Sequence, residues 1–151
     1  MKVKDIMTEK VITIYSDNNI ITVVKLLLKN KIHGIPVIDE KNNVVGIVSE
    51  KDLFTKEPAS DYLPMWSGLL GIARYRNEIS ADQEVKMVRL IQVSAADIMT
   101  ADPVTIKANA DIKDLLKIFR ETKYKTIPVL DDKDKLTGIV SVVDVIRKVE
   151  M

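Results

Sequence analysis

The sequence has no cysteine and only one histidine, His33, among its 151 residues. The lack of cysteine excludes disulfides, thiolate catalysis and cysteine-ligated zinc. One histidine cannot build a transition-metal site of ordinary composition. The Gly-x-Ser-x-Gly elbow, the Walker loop and the Rossmann fingerprint are absent as well. We therefore expect a protein that is not an enzyme, with no catalytic residue and no metal ligand.

The sequence also lacks an excess of charge of either sign, and it lacks long apolar runs. Its 23 basic and 22 acidic residues give a formal net charge of +1. This balance provides no long-range field to attract nucleic acid or an anionic membrane, so we expect neither as a partner. No apolar run is long enough to span a bilayer, and the first residues do not form a signal peptide. A cytoplasmic protein is the resulting expectation.

What the sequence does contain is a duplication. The tetrapeptide DIMT at Asp5 returns at Asp97, and GIVSEKD at Gly46 returns as GIVSVVD at Gly138. The offset is 92 residues throughout, no gap is needed over the 48 paired positions, and 19 of these pairs are identical. Two units of about 50 residues would each be only marginally stable alone, so we expect one integrated domain. We expect the units to pack about a pseudo-two-fold axis, with two equivalent clefts at the joint.

Apolar periodicity predicts the order β-α-β-β-α in each repeat, and hence an α+β fold. In repeat one we predict strands over 11–14, 35–38 and 44–49, a helix that Asp17 caps and that ends near Lys31, and a helix from Glu50. The apolar face of the first helix consists of Ile20, Val23, Val24 and Leu27. Because proline donates no hydrogen bond, Pro36 indicates an edge strand or a strand start.

The predicted elements of repeat two follow the same order. They are strands over 104–106, 127–130 and 136–141, a helix that Asn109 caps, and a helix from Val142. The first of these helices should direct Ile112, Leu115, Leu116 and Phe119 inward. The predicted domain boundaries are 1–56 for repeat one, 57–94 for a partly helical insert and 95–151 for repeat two. Met7 and Met99 are expected to fill gaps in the core.

Taken in order and found twice, these motifs resemble the CBS domain, and the whole resembles a tandem CBS pair (a Bateman module). The resemblance covers both repeats and leaves the insert outside. It implies a disc-like pair with clefts for adenosine compounds: AMP, ADP, ATP or S-adenosylmethionine. It further implies a regulatory module that catalyses nothing itself and requires no cofactor. With no other domain beside the pair, the chain resembles a stand-alone CBS protein acting on an effector protein that the sequence does not identify.

The strand that ends at Ser49 or Ser141 is followed at once by a helix. Backbone N–H groups at a helix start favour a phosphate, and the serine hydroxyl adds a donor. The resemblance implies that Asp52 and Asp144, three residues further on, accept hydrogen bonds from the ribose hydroxyls. The alternative is structural, with each serine capping its helix and each aspartate complementing the helix dipole.

The resemblance also implies that His33 faces the ligand phosphates. Lys125 stands at the matching position, so each cleft would hold a cationic side chain, unless both are ordinary surface residues. Lys51 adds charge to the first cleft, whereas its counterpart is Val143. We therefore predict that the second cleft binds the more charged nucleotides less well.

The resemblance implies further ligand contacts from the first strand and the middle strand of each repeat. Thr13 and Thr105 match the strand threonine that lines the family's cleft, although threonine is also simply a good strand residue. The backbone beside Ile35-Pro36 and Ile127-Pro128 would contact the adenine. Gly34 is matched by Thr126, so backbone freedom is not required at this position in both sites.

Two other functions remain open. The chain could be a ligand-free scaffold that assembles through its insert, where Trp66, Leu69, Leu70, Ile72 and Tyr75 and an apolar face near Val88 offer an association surface. Nucleic-acid binding is the weakest reading. In addition, we predict a homodimer, because an isolated module should bury its remaining apolar helical face against a second copy.

Overall fold

The computed structural model describes residues 1–55 and 92–150. The predicted insert lies outside the described residues except for positions 92–94, and so does its proposed association surface from Trp66 to Val88. Repeat one comprises β1 (Ile14–Tyr15), α1 (Ile20–Asn30), β2 (Gly34–Ile38), β3 (Val44–Ser49) and α2 (Glu50–Thr55). Repeat two comprises α3 (Ala95–Ile98), β4 (Thr100–Ala101), β5 (Ile106–Lys107), α4 (Ile112–Glu121), β6 (Thr126–Leu130), β7 (Leu136–Ser141) and α5 (Val142–Glu150).

The chain therefore has the predicted α+β fold, in which each repeat follows the order β-α-β-β-α. The described strands form a four-stranded sheet in the order β1-β2-β3-β4 and a three-stranded sheet in the order β5-β6-β7. Both hairpins have the same register, including a shift at the end of the middle strand, between Val37 and Ile38 and between Val129 and Leu130. Identical irregularities at positions 92 residues apart confirm that the duplication is present in the structure as well as in the sequence.

The first strand of each repeat is shorter and later than predicted. Residues 11–13 and 104–105 carry the β-branched side chains that favoured a strand, yet β1 and β5 have only two residues each, beginning at Ile14 and Ile106. β1 pairs in parallel with Val37 and Ile38 alone. β2 has neighbours on both sides at Val37 and Ile38, but at Pro36 only β3 is paired, so Pro36 lies at a local edge of the sheet. Its missing N–H costs nothing on the β1 side, because β1 does not extend that far.

The predicted helix caps Asp17 and Asn109 are wrong by two residues in both repeats. Asn19 caps α1, and its side chain accepts a hydrogen bond from the Thr22 N–H at 2.9 Å. Asp111 caps α4 and accepts from the Lys113 N–H at 3.0 Å, which lowers the pKa of this carboxyl. Several polar residues precede each helix, and any of them is an acceptable N-cap. Contacts with the other repeat decide which one is used.

These contacts arise because the stretch around each DIMT motif, residues 3–8 and 95–100, packs against the opposite repeat. We call these two stretches the lent segments. The Ala95 N–H donates to the Asn18 carbonyl at 2.8 Å, and the Val3 N–H donates to the Ala110 carbonyl at 3.0 Å. Each lent segment also completes a core, since Ala95 and Ile98 pack with the repeat-one cluster. Val3 is fully buried in the repeat-two cluster. The exchange is reciprocal, because each core contains residues from both repeats.

Two glycines make the exchange possible by letting a methionine approach closely. A Cβ on Gly46 would lie 2.4 Å from Sδ of Met99, and a Cβ on Gly138 would lie 2.4 Å from Sδ of Met7. Both methionines pack against the hydrophobic core of the opposite repeat, as the gap-filling role predicted. A larger residue at either glycine would force this contact apart.

The inward face of α1 is as predicted, because Ile20, Val23, Val24 and Leu27 are all buried. The prediction for α4 holds only in part. Leu115 is fully buried, whereas Ile112 and Phe119 are half-buried and Leu116 is 38% exposed. The equivalent helices therefore rest on their sheets through apolar faces of different width.

Candidate functional site

A cavity of about 450 Å³ lies where the two repeats meet. This volume is within the range of pockets that hold small organic ligands. The starts of β2 and β6 face each other here, since a Cβ on Gly34 would lie 3.8 Å from Cβ of Thr126. Gly34 and Thr126 are equivalent positions of the two repeats, so the cavity adjoins the pseudo-two-fold axis.

The described walls come from four stretches of chain, two in each repeat. The segment after the first DIMT motif contributes Thr8, Lys10, Val11 and Ile12. The end of α1 and the start of β2 contribute residues 30–34. Repeat two contributes Thr126, Ile139, Val140, Ser141, Val143, Asp144 and Arg147. Of the predicted site residues, the cavity thus unites His33, Gly34, Thr126, Ser141 and Asp144, which come from both repeats.

Ser141 and Asp144 form a reciprocal hydrogen-bonded box at the start of α5. The backbone N–H and the hydroxyl of Ser141 both donate to Oδ2 of Asp144 at 2.7 Å, and the Asp144 N–H donates back to the hydroxyl at 3.3 Å. This is the arrangement of a helix-capping box. The N–H of Val142 is also occupied, because it donates to the Lys125 carbonyl at 3.1 Å. Of the backbone N–H groups predicted to be free at this helix start, only that of Val143 has no hydrogen-bond acceptor in the described first turn.

The capping role and a ligand role are compatible at Asp144. Its Oδ1 accepts no hydrogen bond from residues 1–55 or 92–150, while the residue lines the cavity. Ser94 and Asp97 form another box of this kind, in which the Ser94 N–H and hydroxyl donate to Oδ2 of Asp97 at 2.8 and 3.1 Å. This box does not line the cavity. The box alone is thus a structural device, and its position beside the cavity is what distinguishes Asp144.

His33 lies at the mouth of the cavity with 71% of its side chain exposed. Its Nδ1 contacts the carboxylate of Glu50, at the start of α2. This contact engages one ring nitrogen and leaves Nε2 as the nitrogen for any ligand. Glu50 is next to Ser49, so the histidine is linked to the equivalent helix start of repeat one.

Three further cations line the cavity: Lys10, Lys31 and Arg147. None of them forms an ion pair with a carboxylate of the described residues. Lys31 is held in the left-handed backbone region, at φ 52° and ψ 43°, where it ends α1. Sequence reasoning missed these three residues. A signal existed for Arg147, because a residue three positions after Asp144 shares its helix face.

Other predicted residues occupy positions equivalent to this cavity in the opposite repeat. Ser49, Lys51, Asp52 and Lys125 correspond to Ser141, Val143, Asp144 and His33 by the 92-residue offset. Ser49 donates to Oδ2 of Asp52 from its N–H at 2.7 Å and from its hydroxyl at 3.1 Å. Asp52 is only 6% exposed. The helix start is therefore duplicated, and the ligand role of these four residues stays a prediction.

The remaining predicted residues do not line the described cavity; they are Thr13, Ile35, Pro36, Thr105, Ile127 and Pro128. Ile35 and Ile127 are fully buried in the two cores. Any ligand contact at these two positions would have to come from the backbone, as the sequence analysis proposed.

Within residues 1–55 and 92–150, no cluster of three or more histidine, cysteine or carboxylate residues could hold a metal ion. In the same part of the chain, no helix has both the length and the apolar character needed to cross a bilayer.

Two lent segments, two equivalent hairpins and a cavity at their joint define a tandem α+β module. The CBS domain family model matches residues 3–58 and again residues 95–150. These two matches cover more than half of the chain, and the chain therefore belongs to the CBS domain family, as a tandem pair.

Curated relatives agree with this assignment. An uncharacterized protein of Methanocaldococcus jannaschii, MJ1426, is 32% identical over 97% of this chain and 90% of its own length. The chloroplastic CBS domain-containing protein CBSX1 of Arabidopsis thaliana is 32% identical over 82% of this chain. The chain spans about half of that relative, since 52% of CBSX1 is covered.

Solved structures show the same fold. CBSX2 in complex with AMP superposes with a TM-score of 0.71 at 24% identity, covering 99% of this chain and 96% of that one. The CBS domain pair of protein MJ0100, solved with 5-methylthioadenosine and S-adenosyl-L-methionine, also has a TM-score of 0.71, at 22% identity and with the same coverages. At these identities the likeness establishes the architecture.

Proposed function

We propose that this protein is a regulatory sensor that binds an adenosine compound in the cavity between its two CBS repeats. The observation that carries the proposal is the composition of that one cavity. It brings a helix start, a serine hydroxyl, a carboxylate with a free oxygen and several cations to one place. A ribose offers hydroxyl donors and a phosphate offers charge-assisted acceptors, so a nucleotide matches both kinds of group.

The comparisons support this ligand class. CBSX2 holds AMP, and the MJ0100 pair holds 5-methylthioadenosine and S-adenosyl-L-methionine. All three ligands contain adenosine and differ in what is attached to it. Which of AMP, ADP, ATP or S-adenosylmethionine is the ligand of this chain is a separate question.

In this proposal Oδ1 of Asp144 accepts from a ribose hydroxyl, while Oδ2 stays in the capping box. The helix start at Ser141 and the cations face the phosphates. Val11, Ile12 and Ile32 provide apolar wall on which an adenine ring can rest. The acidic grip on ribose follows the same logic as in dinucleotide-binding folds.

Regulation requires that the ligand bind one arrangement of the repeats more tightly than another. The cavity satisfies the structural condition for this, because its walls come from both repeats and their lent segments. A ligand contacting both would favour the arrangement in which they are closest. The effector protein that reads this change is not defined by the chain.

The homodimer stays part of the proposal. Ile146 on α5 and Leu116 on α4 are 51% and 38% exposed, and a second copy of the chain would cover them. Sedimentation at micromolar concentration should show a dimer, and a monomer would contradict it.

The sensor function is tested by thermal melting with AMP, ADP, ATP and S-adenosylmethionine. A ligand at about 100 times its dissociation constant adds roughly 2.7 kcal/mol, which raises the melting temperature of a chain of this size by several degrees. Replacing Asp144 with asparagine should reduce that shift. Asp97→Asn is the matched control, because it alters the same kind of capping box away from the cavity.

If no compound of the panel shifts the melting temperature, the sensor function is wrong, and a scaffold function becomes the better account. Equal loss of ligand response in both variants would remove the ribose role of Asp144 and leave only helix capping.

A further inference from the structure

The cations around the cavity have no carboxylate partner within residues 1–55 and 92–150. Lys10, Lys31 and Arg147 line it without a carboxylate partner in the described residues. A lysine with a carboxylate partner does occur in the described residues, where Lys107 pairs with Asp134. Among the described residues that line the cavity, Asp144 is the one carboxylate, and one of its oxygens is committed to its own helix. The cavity therefore has an excess of positive charge within a nearly neutral protein.

The equivalent positions in the opposite repeat have a smaller excess, of one positive charge against two at the cavity. Lys10 is matched by Asp102, and Arg147 is matched by Thr55. Three cations stand there: Lys51, Lys125 and Lys123, which matches Lys31. Asp52 and Asp102 offset two of these three positive charges. The prediction from Lys51 and Val143 alone favours the opposite cleft for the more charged nucleotides, whereas Lys10, Lys31 and Arg147 favour the cavity beside Val143.

One of the cations occupies a backbone position at which lysine is unfavourable. Lys31 ends α1 in the left-handed region, where glycine is the preferred residue. The equivalent helix α4 ends instead at Thr122 in an extended conformation. In repeat one, therefore, the lysine that ends the helix in a strained conformation also lines the cavity. The equivalent helix of repeat two has no left-handed residue at its end.

We propose that this cavity selects its adenosine ligand by phosphate charge, preferring a nucleoside di- or triphosphate to AMP and to S-adenosylmethionine. The inference rests on the proposed sensor function and specifies its ligand. Lys10, Lys31 and Arg147 are the selectivity residues. Each phosphate added beyond the first brings negative charge that these unpaired cations can contact. A sulfonium compound brings positive charge instead and is disfavoured by the same side chains.

Calorimetric titration with ATP, ADP, AMP and S-adenosylmethionine tests the inference, at about 0.1 M salt, with and without magnesium. ATP should bind at least about tenfold more tightly than AMP. Arg147→Gln and Lys31→Gly should each weaken ATP about five- to tenfold and AMP less than about threefold. The matched controls are Lys148→Gln and Lys29→Gln, which change exposed neighbours that do not line the cavity.

Lys31→Gly also separates a binding effect from a folding effect. Glycine relieves the left-handed backbone, so the melting temperature of the free protein should rise by about 1–4 °C while ATP affinity falls. A fall in both would mean that the variant acts through stability, which would overturn the role of Lys31.

Different failures have different meanings. If AMP binds and Asp144→Asn weakens it, but ATP is not tighter, the sensor function stands and the charge selection is wrong. Equal losses in the control variants would also overturn the selection, because they would show a diffuse surface field. If no adenosine compound binds at all, the sensor function and this inference fail together.

Discussion

The two repeats share the devices that hold the fold together, and they differ in several charged residues beside the cavity. Both have the Ser-x-x-Asp box after the last strand, the same hairpin register and a glycine that admits the other repeat's methionine. In contrast, the helix that precedes each hairpin ends differently, with left-handed Lys31 in one repeat and extended Thr122 in the other. A duplicated scaffold has thus retained its packing and diverged in the charges it presents to a ligand.

The differences between the repeats indicate which pairs of equivalent residues are interchangeable. Positions that hold one repeat to the other, such as Val3 and Ala95, are both fully buried. Positions near the cavity include Lys10 against Asp102, a reversal of charge at equivalent sites. Substitutions at equivalent positions should therefore have similar effects in the first group and dissimilar effects in the second.

The largest expected effect tests the lent segments. Val3→Asp places an unpaired carboxylate in the repeat-two core and should lower the free energy of unfolding by about 3–5 kcal/mol. Ala95→Asp should have a comparable effect on the repeat-one core, because that residue is equally buried. Urea denaturation measures both. Lys4→Asp, at an exposed neighbour, is the control. If Val3→Asp costs no more than this control, the segment is not part of the core.

A smaller effect should separate the two helices. Val24 and Leu116 are equivalent positions, but Val24 is 6% exposed and Leu116 is 38% exposed. Val24→Ala should cost about 1–2.5 kcal/mol of unfolding free energy, since it removes buried methyl groups. Leu116→Ala should cost less than about 0.5 kcal/mol. Equal costs, measured by the same denaturation, would mean that α4 buries Leu116 against something outside the described residues, as in a dimer.

The sequence predicted most reliably those elements whose pattern was long. The strands Val44–Ser49 and Leu136–Ser141 and the inward face of α1 agree with their alternation and helical period. The caps failed, because a run of polar residues before each helix offered several equivalent choices. The choice depends on the other repeat, as when the Ile112 N–H donates to the Met1 carbonyl at 3.1 Å.

The composition of the cavity was the hardest feature to predict. The duplication indicated equivalent clefts, but an offset of 92 residues does not say which repeat supplies which wall. His33 of repeat one shares a cavity with Asp144 of repeat two, and only the packed structure brings them together. The cations Lys10 and Lys31 carried no motif, so charge alone gave no reason to single them out before their neighbours were known.

The smallest expected effect concerns the hairpin turns at Asp39 and Asp131, which are also equivalent. The Asn43 side chain and then its backbone N–H donate to Asp39 and hold the pKa of that carboxyl below its usual value of 3.8. At Asp131 the Lys135 backbone N–H is the main donor, and it likewise lowers the pKa. The Lys135 side chain instead donates to Oδ1 of Asn43 at 2.7 Å, which joins the two turns.

Because both folded-state pKa values are lowered, the carboxylates stabilise the fold above about pH 4, and this contribution is lost as the pH falls below 3.8 through each folded value. Asp39→Asn and Asp131→Asn should each destabilise the protein near pH 7, and the difference from the unsubstituted protein should shrink on acidification. Melting temperatures between pH 7 and pH 2.5 measure this. Asp39→Asn should have the larger effect, because Asn43 also connects that turn to Lys135 of the other repeat. A difference that stays constant with pH would show that the charge of the carboxylate plays no part.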